Sequence, residues 1–191
     1  GLASIPILTR IYSPEHFGLL SVFTALLLIL TPLMTLRYEL AVPLPRRDGT
    51  AMTLMALAAA FVAVTTVLVS NVLWLAGPVL LTQVSIEALI PYRWMLVVAL
   101  ASAGFYEVLL IWAIRRRAYA AIARTQLQQS AVGSIAKVVL GLLGMKPLGL
   151  LAGQVLGAGA GTFKLVRLFS ADVKRYWRQV TLQRAWWLFR H

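Results

Sequence analysis

Uncharged apolar runs of membrane length alternate along this chain with short breaks that carry charge or proline. A helix needs about 20 apolar residues to cross the hydrocarbon of a bilayer, so the alternation predicts membrane-length α-helices rather than one globular core. The opening GLASIPILT reads as the end of an apolar span, which makes the chain a fragment truncated at its N-terminus. Ser13-Pro14 marks a turn, and proline suits the first position of the helix that follows. The first full span is expected at 17–36, kinked by Pro32. Charge and two prolines make 37–49 a loop, and 50–76 is a second span without a single charged residue. Gly77-Pro78 ends it. The stretch to Pro91 is apolar but short and holds Gln83 and Glu87, as an interfacial or re-entrant segment would.

The next span, 92–114, encloses Glu107 and ends at Arg115-Arg116-Arg117. Residues 118–128 are mixed. A weaker span at 126–145 contains Gln128, Gln129, Ser130, Ser134 and Lys137, polar residues that predict a helix facing the interior of a bundle. Lys146-Pro147 is a tight turn, so the helix over 148–169 is expected to lie antiparallel to its predecessor. Its Gly149, Gly153, Gly157 and Gly161 recur every fourth position and leave one helix face open to close backbone approach. The tail 171–191 mixes Trp177, Trp186 and Trp187 with lysine and arginine, as a helix lying in the membrane interface does. The expected fold is an all-α polytopic membrane bundle over 1–170, with five complete helices and the end of one truncated helix, followed by an interfacial segment over 171–191.

Composition supports the bilayer as solvent: 60% of the residues are apolar, 13% are charged, and mean hydropathy is +0.82. The net charge of +12 would suit nucleic acid only on a solvated basic domain, and none is visible. The positions of the basic residues explain it better. Loops 37–49 and 115–125 and the segment from Lys164 onward carry 14 of the 18 lysines and arginines, the opposite side carries Arg10, Arg93 and Lys146, and Lys137 lies inside a span. That asymmetry places loops 37–49 and 115–125 and tail 171–191 in the cytoplasm. With no cysteine in the chain, disulfides and thiolate metal sites are excluded.

The run LTRIYSPEHFGLLSVFTALLLILTPLMTLRYELAVPLPRRD at 8–48 resembles the N-terminal region of bacterial polysaccharide flippases. These are the O-antigen and exopolysaccharide translocases of the multidrug/oligosaccharidyl-lipid/polysaccharide exporter superfamily, also called lipopolysaccharide biosynthesis proteins. Trp-x-Ile-Arg-Arg at 112–116, the connector 119–124 and the glycine-rich helix extend the resemblance over nearly the whole chain. It implies a fold of two six-helix lobes in the inner membrane, with 1–170 most of the first lobe and 171–191 the linker to the second. It further implies transport, by alternating access, of oligosaccharide repeat units carried on undecaprenyl diphosphate. The implied partners are that lipid-linked oligosaccharide, membrane lipids, and the polysaccharide polymerase and chain-length proteins.

A cargo with polar sugar and two phosphates needs cations and hydrogen-bond donors screened from lipid. Lys137 lies 13 positions after Arg124, ~20 Å along a helix, and is the basic residue that topology does not explain. Glu107, eight positions before Arg115, is ~12 Å deep, close enough for an ion pair with Lys137 as the structural alternative. Burial could also raise the Glu107 pKa and let it carry a proton. Arg37 is expected to meet the diphosphate, or else to mark topology and pair with Glu39. Gln129, with Gln126 and Gln128, would bond sugar or a neighbouring helix. Arg115, Arg116 and Arg117 are read as positive-inside anchors. Nothing resembles an enzyme site or a phosphate loop, and no cofactor is expected. Rival expectations are a drug/cation exporter or peptidoglycan-precursor flippase of the same superfamily, and a non-transporting scaffold of a polysaccharide synthesis complex.

Overall fold

The structure, a computed structural model, describes residues 5–36, 42–43, 45, 48–83 and 86–177, with side chains described to residue 170. Every regular element among them is helical: α1 (Ile5–Ile11), α2 (Pro14–Thr35), α3 (Asp48–Leu75), α4 (Gly77–Gln83), a 3-10 turn (Glu87–Tyr92), α5 (Arg93–Arg115), α6 (Tyr119–Leu142) and α7 (Leu148–Trp177). Among the described residues, four stretches are long and apolar enough to cross a membrane: Pro14–Thr35, Asp48–Leu75, Glu87–Arg115 and Leu148–Ser170. The short α4 and the 3-10 turn, ~10 Å each or little more, occupy the segment expected to be interfacial or re-entrant.

α6, expected as a fifth span, is not among these four stretches, and it differs from expectation in two further ways. It begins at Tyr119, because Tyr-Ala-Ala-Ile-Ala-Arg is made of residues that favour or tolerate helix whatever their hydropathy. It also lies at the edge of the bundle, with Gln126 and Ser130 exposed, so these polar residues line an opening instead of a sealed interior. α7 likewise runs through position 170 to Trp177, and residues 178–191 are outside the described set.

α5 is the central helix. On one side Val108 and Trp112 pack with Val62 of α3 and Leu165 of α7; on the other, Leu96 and Leu100 pack with Phe23 and Met34 of α2 and Leu151 of α7. Threonine hydroxyls tie these helices across their backbones. Thr65 donates to the Met34 carbonyl at 2.8 Å, and Thr162 donates to the Ser102 carbonyl at 2.9 Å. Met34 is in the last turn of α2, where carbonyls lack intrahelical donors, so Thr65 satisfies a group that burial would otherwise penalise.

Arg115 does more than mark topology. Its Nη1 donates to the carbonyls of Pro45 (2.7 Å) and Pro43 (3.2 Å), and its Nη2 donates to Asp48 Oδ1 (2.8 Å). The guanidinium side chain is 11% exposed. Five rigid donors on one planar group can hold a loop by its carbonyls, which an ammonium cannot do in the same geometry. Asp48 in the first turn of α3 and Arg115 in the last turn of α5 also sit where the helix dipoles favour their charges. Arg116 completes the knot, 3.6 Å from Asp48 Oδ2 and 5.3 Å over the Trp112 ring.

The glycine repeat meets α6, as expected for the antiparallel neighbour. A Cβ at Gly149 would meet Leu140 Cβ at 2.9 Å, and one at Gly157 would meet the Gln129 carbonyl at 3.0 Å and Gly133 Cα at 3.4 Å. At Gly153 it would meet the Gly133 carbonyl at 2.9 Å and the Lys137 backbone nitrogen at 3.0 Å. The two backbones therefore touch along a strip that admits no side chain from α7. Gly153→Ala should lower stability by about 1–3 kcal/mol through overpacking, although alanine is the better helix former. Gly159, with nothing within 4 Å of its would-be Cβ, should tolerate alanine with a gain below about 1 kcal/mol. Unfolding midpoints in detergent check the pair; equal shifts at both positions would contradict the packing.

Candidate functional site

Of the polar positions on α6, those at 126, 129, 130, 134 and 137 keep the i, i+3, i+4 rhythm of one helix face, and Gln128 lies off that face. That face lines a cleft of about 450 Å³ whose other walls are α5, through Tyr106 and Glu107, and α7, through Gln154 and Ala158. A second groove of about 400 Å³ continues along α2, past Thr24, Thr31 and Thr35. The two share Ala103, Glu107, Gln154 and Ala158. Glu107 and Gln154 thus stand where the two grooves adjoin, among four helices.

Lys137 is placed by three neighbours. Its carbonyl accepts a hydrogen bond from the Tyr12 hydroxyl at 2.7 Å, tying α6 to the α1–α2 corner. Its side-chain stem crosses Gly153, where any Cβ would collide with Lys137 Cγ. Its Nζ donates to Gln154 Oε1 at 2.8 Å. The missing side chain at 153 gives the lysine room, and the next residue supplies its acceptor. The Gln129 amide lies against Gly161 in the same way. Two residues expected at the site from sequence are therefore seated on two glycines of α7.

Glu107 shares the cleft with Lys137, but the ammonium bonds Gln154 rather than the carboxylate. Asp48 forms ion pairs with Arg115 and Arg116. The Tyr106 hydroxyl is buried without a hydrogen-bond partner among the described residues. Arg37 and Glu39 lie outside the described residues.

Sequence reasoning brought Lys137, Glu107 and Gln129 to the site and missed Gln154, Tyr106 and the α2 threonines. Gln154 is the sole side chain with strong polarity between Leu148 and Gly161, and that was the available signal. Comparison with protein-family models, with curated proteins and with solved structures finds no match. What the fold defines by itself is an all-helical bundle with four apolar helices of membrane length and a polar cleft beside them.

The Lys137–Gln154 bond should be measurable. In a double-mutant cycle with Lys137→Met and Gln154→Leu, unfolding in detergent should return a coupling energy of about 1 kcal/mol. Strict additivity would mean that the two side chains do not hold each other.

Proposed function

We propose that this chain forms the greater part of one lobe of a flippase that moves oligosaccharide repeat units, carried on a polyprenyl diphosphate, across the bacterial inner membrane. The observation that carries the proposal is the polar face of α6, with Lys137 at its inner end, turned to a cleft within an otherwise apolar bundle. α6 is then the fifth membrane span. Its 24 residues cover ~36 Å, and its low hydropathy follows from the polar face. The opposite side presents Ile135, Val139 and Leu142, all exposed, as a helix contacting lipid would, with Gln128 the polar residue on that side. Loops 37–49 and 115–125 and the tail 171–191 are cytoplasmic on the distribution of arginine and lysine.

The cleft chemistry suits such a cargo. Glutamine amides and serine hydroxyls both donate and accept, which matches sugar hydroxyls. Lys137 is bonded to a neutral acceptor. The ammonium–Gln154 bond has an ionised donor and a neutral acceptor; a phosphate oxygen displacing Gln154 makes the acceptor ionised as well and adds Coulomb attraction to the bond. Had a carboxylate held the ammonium, the exchange would bring no such gain. Glu107 on the facing wall keeps the site from being uniformly cationic, which favours release after capture. Alternating access then consists of opening this cleft to one leaflet and next to the other, with the partner lobe closing the open side.

In cells that make the surface polysaccharide, the complete protein carrying Lys137→Ala at matched expression should export at least about tenfold less, the loss expected when a charged hydrogen bond to cargo disappears. Ile135→Ala, on the opposite face of α6, should leave export unchanged. Normal export by Lys137→Ala would remove this residue from the cargo path.

A further inference from the structure

α3 and α5 run antiparallel as neighbours, and each end of the pair is marked by an arginine over a tryptophan. At one end Arg116 lies over Trp112, beside the Arg115–Asp48 bond. At the other, Arg93 lies over Trp74 with 4.6 Å from guanidinium carbon to ring centroid. Arg93 to Arg115 spans ~33 Å of helix at 1.5 Å per residue, close to the ~30 Å of bilayer hydrocarbon. Between these ends α3 carries no charge after Asp48, and α5 carries only Glu107, which faces the cleft. The two arginine–tryptophan pairs therefore bracket one hydrocarbon thickness.

The Arg93 end has a feature that the other lacks. α4 leaves α3 directly after Trp74 and Leu75, and at seven residues it is too short to cross. It buries Leu81 and exposes Val79 and Leu80, while Thr82 and Gln83 stay exposed beside them. With Trp74, Leu75 and Trp94 this makes a rim of exposed large apolar side chains around one cation; Leu75 alone is 85% exposed. Water is a poor neighbour for that rim, and hydrocarbon is a poor neighbour for Arg93. The headgroup layer accommodates both, since aromatic rings favour the membrane interface and arginine finds phosphate there.

We propose that Trp74, Leu75, α4 and Trp94 form a membrane-interface collar that lies along the headgroup layer, with Arg93, held on the Trp74 ring, binding a lipid phosphate. This rests on the bundle spanning a bilayer. It resolves the 77–91 segment as interfacial rather than re-entrant, and it gives this end of the bundle a preference for anionic lipid.

The absence of cysteine in the chain allows single fluorescent labels. The whole chain bearing Val79→Cys or Val64→Cys would be labelled with bimane and placed in phosphatidylcholine/phosphatidylglycerol vesicles containing nitroxide lipids labelled near the ester linkage or near the chain end. Val64, ten residues before Trp74 on α3, lies ~15 Å deeper and is 56% exposed. The Val79 label should be quenched most by the shallow nitroxide, and the Val64 label most by the deep one. Shallow-labelled phosphatidylglycerol should be enriched at Val79 about fivefold over shallow-labelled phosphatidylcholine, and Arg93→Gln should abolish that preference without changing either depth. Deep quenching at Val79, or no quenching there while Val64 is quenched, would overturn the collar. Equal quenching by both lipids in the parent would overturn the preference for anionic lipid, and shallow quenching at Val79 by both lipids that Arg93→Gln leaves unchanged would overturn the phosphate contact. Loss of quenching at Val64 as well would instead refute the membrane placement itself.

Discussion

The site depends on the contact between the backbones of α6 and α7. Leu140, Lys137, Gly133 and Gln129 descend α6 while Gly149, Gly153, Gly157 and Gly161 ascend α7, each opposite its counterpart. In a hydrocarbon solvent no hydrophobic driving force brings two apolar helices together, so close van der Waals packing must hold them, and absent side chains make it close. That closeness fixes the register, and the register places chemistry. Lys137 can reach Gln154 because its stem rests where residue 153 has no Cβ, and Gln129 rests on Gly161 for the same reason. A shift of α6 by one residue along α7 would set Lys137 against a side chain and turn its polar face out of the cleft.

The fold was legible where the physics is one-dimensional. Apolar runs marked four helices of membrane length, although not α6, which was expected as a fifth; a four-residue glycine repeat marked both the packed face of α7 and, with the tight turn at 146–147, the identity of its partner. Reading stopped where hydropathy and helicity part company. The first turns of α6 are helical without being apolar, so hydropathy alone starts that helix at 126 rather than 119. The two short helices between α3 and α5 were expected only as a short non-spanning segment.

The site was legible in part, for a related reason. A lysine inside a span stands out because its burial costs free energy, and so does a glutamate. A glutamine does so much less, and nothing in its spacing says that Gln154 rather than Glu107 receives the ammonium. Arg115 went unread for the opposite reason: three consecutive arginines at a helix end are fully accounted for by charge distribution, so sequence gives no cause to look for the four oxygens of residues 42–48 that one of them gathers. Geometry separates it from its neighbours.

The account turns on α6 being a membrane span with one wet face. Single cysteines can be placed on its two sides in this cysteine-free chain, at Ser130 and Ser134 toward the cleft and at Ile135 and Val139 away from it, with the protein in sealed vesicles. A membrane-impermeant thiol reagent should modify the first two positions and spare the second two. Equal reactivity on both faces would place α6 in water outside the bilayer, and protection of all four would leave no polar passage for cargo.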